Sequence, residues 1–172
     1  MNNNEKNTQK KFYDAEVQGR TIFYNFLKSR GHEIIDVAGL TQPWDISIRN
    51  EDEQTTKYYE IKYRCNYSST NNFIQQDGVI LEKIKYDGLK KYKVQHTITD
   101  ANTSTFYYCT LFNDGVGYVC QLNLDDEDNF EWQKKKMKYS QCANDGDKIV
   151  EKIITYIPLS QCKKFYYNAD HK

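Results

Sequence analysis

A single α/β domain is predicted for this 172-residue chain by three observations: an amphipathic stripe near the N-terminus, two adjacent segments with clean period-two alternation, and a second stripe at helical spacing after them. The length suits one core with room for one sheet and a few helices. Lys+Arg and Asp+Glu each number 24, so no global positive field announces a polyanion, and any such partner has to be met by a local patch. The hydrophobic fraction is only 38%, but aromatics reach 15% and Tyr alone supplies 15 residues. The core is therefore expected to rest on large rings, and disorder is excluded for most of the chain.

The elements follow in order. Residues 1–11 are polar and are expected to form a disordered tail, leaving 12–172 as one domain. Ala15, Gly19, Ile22, Phe23, Phe26 and Leu27 mark one face of a helix, and Gly31 directly after Arg30 supplies its left-handed stop. HEIIDV is a short strand. PWDISIR alternates Trp44, Ile46 and Ile48 against Asp45, Ser47 and Arg49. After the polar connection NEDEQTTK, YYEIKYR alternates Tyr59, Ile61 and Tyr63 against Glu60, Lys62 and Arg64, so the polar faces of the two strands can coincide. NYSSTNNFIQQDG is a polar loop longer than a connection needs, a candidate functional segment. A second helix carries Leu81, Ile84, Gly88, Leu89 and Tyr92 in its stripe, with Lys85 inside it. TFYYCTLF, NDG and VGYVCQL make a hairpin, DDEDNFE and KKKMK the solvated tip and edge of further strands, and KIITYIPL a last strand ended by Pro158.

Five cysteines, Cys65, Cys109, Cys120, Cys142 and Cys162, are widely spaced with no CxxC or Cys/His cluster, so zinc is not indicated. His32, His96 and His171 lie apart from any acid or nucleophile and receive no role. The N-terminus lacks an apolar core of a signal peptide, and no stretch approaches the roughly 18 apolar residues of a membrane span. These features lead us to expect a cytoplasmic protein with reduced thiols and no membrane partner.

Neighbouring antiparallel residues that face the same way lie about 5 Å apart, so Asp45 and Glu60 can bring two carboxylates to one divalent ion. Such a pair repels unless a cation neutralises it, and Mg²⁺ prefers hard oxygen ligands. Lys62 projects on the face of Glu60, one step along, where an ammonium can act on an attacking water or on developing phosphate charge. Lys85 can snorkel out of its apolar stripe, and Glu82 can pair with it at i, i+3.

The pattern P-W-D, 14 residues, then E-I-K, with a helix before and a helix after, resembles the PD-(D/E)XK, or restriction-endonuclease-like, nuclease superfamily. The resemblance covers about residues 12–112. Its core runs helix, three strands, helix, strand, which implies here the order α-β-β-β-α-β around a mixed central sheet, with additional C-terminal β-strands. Trp44 separates Pro43 from Asp45, so the Pro-Asp dipeptide itself is absent. The resemblance implies Asp45, Glu60 and the Ile61 carbonyl as metal ligands, Lys62 as the catalytic lysine, Glu16 as a further acid from the first helix and Lys85 as a polar addition from the second. It implies a Mg²⁺-dependent DNA endonuclease, with Mn²⁺ as a substitute ion and a homodimer as the family expectation. The alternative is an inactive nuclease-fold module that binds nucleic acid or another partner. Local charge for a nucleic acid is offered by Lys57, Lys62 and Arg64, and by Lys83, Lys85, Lys90, Lys91 and Lys93 interleaved with Tyr86 and Tyr92. Arg64, Asn66 and Tyr67 at the strand exit are placed to position backbone or substrate.

Overall fold

The computed structural model describes residues 3–38, 42–50, 55–97, 104–125, 129–138 and 149–168. Part of the hairpin connection (51–54), the acidic residues 126–128, Cys142 and His171 lie outside them. The elements are α1 (Asn3–Ser29), β1 (Glu33–Val37), β2 (Ile46–Asn50), β3 (Thr55–Arg64), α2 (Asn72–Asp77), β4 (Val79–Glu82), α3 (Lys83–Thr97), β5 (Ser104–Phe112), β6 (Val116–Leu122), β7 (Gln133–Lys138), β8 (Ile149–Ile157) and β9 (Lys163–Tyr166). Among the described residues no helix is long and apolar enough to cross a membrane.

The central sheet is mixed, in the order β1-β2-β3-β5-β6-β9. β1, β2 and β3 form an antiparallel meander, and β5 returns beside β3 in parallel, with Glu60 opposite Tyr108. A parallel neighbour requires a crossover, and the chain between β3 and β5 supplies it with α2, β4 and α3. The β5–β6 hairpin turns at Gly115 as NDG predicts, and β8 ends at Ile157 before Pro158.

The sheet is buried on both faces, in three layers. α1 lays Phe23 and Leu27 on one face against Ile46, Ile48, Tyr59, Ile61, Cys109 and Leu111. On the other face α3 and β4 bury Tyr86, Leu89, Val79 and Leu81 against Trp44, Phe106, Tyr108 and Phe112. Rings carry the α3 half, where Trp44, Tyr86, Phe106, Tyr108, Phe112 and Tyr118 are buried, as the composition implies, whereas the buried part of the α1 half is mainly aliphatic, with Phe23 and Tyr59 as its rings. The α1 layer sits very close: a Cβ added at Gly19 would lie 2.8 Å from the Tyr63 Cβ.

Several details differ from the sequence expectation. α1 stops where expected, with Gly31 at φ +78° and the His32 N–H donating to the Leu27 carbonyl at 3.1 Å. It begins earlier, at Asn3, inside the segment read as a disordered tail, which holds good helix formers and neither Gly nor Pro. Trp44 belongs to the α3 side rather than with Ile46 and Ile48, because regular strand geometry starts only at Ile46 and the chain bends before it. The long polar loop contains the short helix α2. Leu81 is not the first residue of a helical stripe but part of β4, which pairs with β8 in a second sheet ordered β4-β8-β7. A short, wholly buried strand and a buried helical turn cannot be told apart by periodicity. Ile84 consequently faces solvent, 75% exposed, and Tyr86 takes the buried position. The thiols are not all reduced: Cys120 in β6 is bonded to Cys162 just before β9, with Cα atoms 4.4 Å apart. Pairing of β6 with β9 brings these residues together across a separation of 42, which no spacing rule reveals.

Candidate active site

The acids meet where the start of β2 runs beside the middle of β3. The Asp45 N–H donates to the Tyr59 carbonyl at 2.7 Å, extending the antiparallel ladder one step beyond β2 and setting Asp45 beside Glu60. The Ile61 N–H donates to Asp45 Oδ2 at 2.7 Å, and Arg20 Nε lies 3.3 Å from Asp45 Oδ1. Arg20 also donates from Nη1 to the Ala38 carbonyl at 2.9 Å, so α1 is tied to the end of β1 as well as to the aspartate. In an extended strand a residue's N–H and C=O project to the same edge, so the Ile61 carbonyl turns toward the edge that its N–H shares with Asp45.

Glu60 projects to the α3 side and is buried, its side chain only 4% exposed. Lys85 Nζ meets Glu60 Oε1 at 2.6 Å, with the lysine side chain 40% exposed. Lys85 can reach because α3 packs closely on the bend before β2, where a Cβ on Gly88 would come within 3.2 Å of the Pro43 Cβ. Burial pushes the Glu60 carboxyl up, to about 8, and Asp45 adds to this, while Lys85 and Lys62 pull the other way. Asp45 is raised as well, by burial and more weakly by Glu16, against the Ile61 N–H, Lys85 and Arg20. Burial opposes the Lys85 ammonium, yet Glu60, Asp45 and Glu16 together hold its pKa above the ordinary lysine value. Lys62 moves the opposite way: burial, and then the neighbouring charges of Arg64, Lys152 and Lys85, lower its pKa, with Glu82 in opposition.

Of the five side chains expected at the site, Asp45, Glu60 and Lys85 act on one another electrostatically, Glu16 acts on Asp45 and Lys85, and Lys62 is linked to Glu60 and Lys85. Other expectations need correction. Glu82 pairs not with Lys85 but with Lys152 of β8, at 2.9 Å, because it ends β4 and faces along that sheet. Burial raises the Glu82 carboxyl, but Lys152, Lys62 and Arg64 more than reverse this and hold its pKa low. Arg64 is 3% exposed and donates from Nη2 to the Ile80 carbonyl at 3.3 Å, so it is packed beneath β4 rather than displayed at an open strand exit. The α3 patch is weaker than its composition suggests: Tyr86 is fully buried, Lys83 pairs with Asp87 and Lys93 with Asp125.

Two members of the site escaped sequence reasoning. Arg20 stands one helical turn after Glu16, and that i, i+4 spacing is a signal that could have found it. Lys152 lies 70 residues from Glu82, and nothing local announces it.

Among the described residues no three His, Cys, Asp or Glu side chains gather into a metal cage. Mg²⁺ does not require one, since it keeps several waters and is bound through one or two carboxylates plus substrate phosphates. A buried carboxylate whose ionisation is opposed by a second carboxylate fits that donor set, because a divalent cation relieves the repulsion. Compared with known proteins, the chain matches no family model and no curated protein.

Proposed function

We propose that the protein is a divalent-metal-dependent phosphodiesterase that cleaves nucleic acid, with DNA as the substrate. The observation that carries this reading is the buried Glu60 set beside Asp45, with Lys62 on the same face of β3 as Glu60. The element order α1, β1, β2, β3, α3, β5 supports it, being the order of the restriction-endonuclease-like core, here with β4, β7 and β8 added as a second sheet. Asp45, Glu60 and the Ile61 carbonyl would hold the ion. When bound, Mg²⁺ supplies activation of water and neutralisation of charge on phosphate.

The protein's own groups do the rest. Asp45 is oriented through both oxygens, by the Ile61 N–H and by Arg20. Lys62, its ammonium destabilised by burial, gives up a proton more readily than a solvated lysine and would act on a water or phosphate bound beside Glu60. Lys85 Nζ contacts Glu60 Oε1 in the free protein, and its charge would be freed for an incoming phosphate once an ion holds Glu60. The direct pairing of Lys85 with Glu60 is also the observation that favours a second reading, an inactive module in which cations from the chain itself replace the metal.

Cleavage of labelled duplex and branched DNA with Mg²⁺, with EDTA and with Lys62→Ala separates the two. The enzyme reading expects Mg²⁺-dependent cleavage that falls about 100-fold or more in the variant. Cleavage indifferent to both EDTA and the substitution removes the mechanism, and binding without cleavage selects the module.

A further inference from the structure

Lys85 and Glu60 make an unequal pair: the carboxylate side chain is buried and the lysine side chain is 40% exposed, with Nζ 2.6 Å from Oε1. Lys85 leaves α3 in its first turn on a long stem, so its ammonium can withdraw toward solvent. Glu60 is fixed in the middle of β3. The other cations near the carboxylates are held differently: Arg20 is bound to Asp45 and to the Ala38 carbonyl, and Lys62 is carried by β3 itself. Asp45 and Glu16 act on Lys85 as well, so its ammonium serves the whole acidic group in the metal-free protein. A divalent ion held by Asp45 and Glu60 would take over that neutralisation and repel the ammonium at the same time. Lys85 would then have lost its counter-charge beside the ion that a phosphate shares.

We propose that Lys85 couples the ion to the nucleic acid: it closes on Glu60 in the metal-free protein and turns to a backbone phosphate when a divalent ion takes Glu60, so that metal and DNA tighten each other's binding. This rests on the phosphodiesterase reading for the ion and the phosphate, and adds the coupling between them. Without the ion, Lys85 is engaged by Glu60 and contributes nothing to DNA affinity. Without the phosphate, the ion has to displace the ammonium unaided and binds more weakly. Linkage makes the effect reciprocal, each ligand tightening the other by the same factor. The contact is to phosphate oxygens and carries no base specificity.

Two measurements on the intact chain test this. Anisotropy of a fluorescent DNA duplex in EDTA gives the metal-free affinity. Isothermal titration of Mn²⁺ with and without the unlabelled duplex, corrected for Mn²⁺ taken up by the duplex alone, gives the coupling. Lys85→Met and Lys85→Gln remove the charge, Lys85→Arg keeps it, and Lys134→Met is the control, a lysine paired with Glu151 in the second sheet. In EDTA all four variants are expected to match the parent. With Mn²⁺, the duplex is expected to tighten ion binding by the parent, and the two neutral Lys85 variants to cut that gain about 10-fold, a usual size for coupling between two sites. Lys85→Arg is expected to keep most of the gain and Lys134→Met all of it. Neutral Lys85 variants that weaken DNA binding in EDTA as much as they cut the gain overturn the proposal, because the lysine then meets phosphate with or without the ion. A gain that survives the substitutions overturns it too, while the metal site stands. No Mn²⁺ uptake by the parent, with or without DNA, removes the coupling and the metal site together, and no DNA binding by the parent removes the coupling and the nucleic-acid reading. If the gain is lost as expected but Mg²⁺ brings no cleavage by the parent, the coupling stands and the enzyme reading falls.

Discussion

Glu60 is the residue where burial and charge are most directly opposed. Its carboxyl is raised from the ordinary value of 4.5 to about 8 by burial first and Asp45 second. In the metal-free protein the folded state therefore holds a proton that the unfolded chain has already released, and this contribution to stability is present below about pH 4.5 and is lost as pH rises through about 8. Glu60→Gln, which cannot ionise, is expected to match the parent near pH 4.5 and to exceed it in unfolding free energy by roughly 2 kcal/mol at pH 9. Urea melts at the two pH values, in EDTA, check the sign, and a variant less stable than the parent at pH 9 contradicts it. At the same scale, the adjacency of Asp45 and Glu60 and the shared face of Glu60 and Lys62 are legible from sequence, because strand alternation across a hairpin fixes both. The burial of Arg64 is not legible, because alternation gives the face of a residue but not what is packed over that face, and β4 covers it with the Ile80 carbonyl.

At the scale of elements, the site exists because two helices approach the sheet at places where a side chain is missing. Gly19 lets α1 lie against Tyr63 and brings Glu16 and Arg20 to Asp45, while Gly88 lets α3 lie against Pro43 and brings Lys85 to Glu60. Gly19→Val would place atoms against the Tyr63 Cβ and backbone, a contact already at 2.8 Å for the Cβ alone. It is expected to cost about 1–3 kcal/mol by overpacking and to displace α1 from the aspartate. Chemical denaturation measures the first effect; loss of divalent-ion affinity at unchanged secondary structure measures the second. α1, the β1–β2–β3 meander and the β5–β6 hairpin were legible because amphipathic period, strand period and turn chemistry agree along each. β4 was not, since its few buried residues abut the helix Lys83–Thr97 without a break in composition and its partner β8 is far away in sequence.

For the whole molecule, two linkages of distant segments decide the architecture and neither was readable from the sequence. β8 pairs with β4 and carries Lys152 to the face of Lys62, and the Cys120–Cys162 bond fixes β9 at the edge of the central sheet. A bond closing a separation of 42 residues restricts the unfolded chain by an amount worth about 4 kcal/mol in the chain-entropy account. Reductant, or Cys162→Ser, is accordingly expected to lower the melting temperature and to release β9 first, seen as faster amide exchange at Lys163–Tyr166 than in β5. An unchanged melting temperature under reductant would count against the bond as a stabilising element. Above all of this stands one assertion, that Asp45 and Glu60 together take up a divalent cation. Isothermal titration of Mn²⁺ into the protein at pH 8, with Asp45→Asn and Glu60→Gln in parallel, tests it most directly. The account predicts one site in the parent, bound with release of a proton from Glu60, and its loss in both variants. No uptake by the parent even with DNA present, or uptake indifferent to both substitutions, contradicts it.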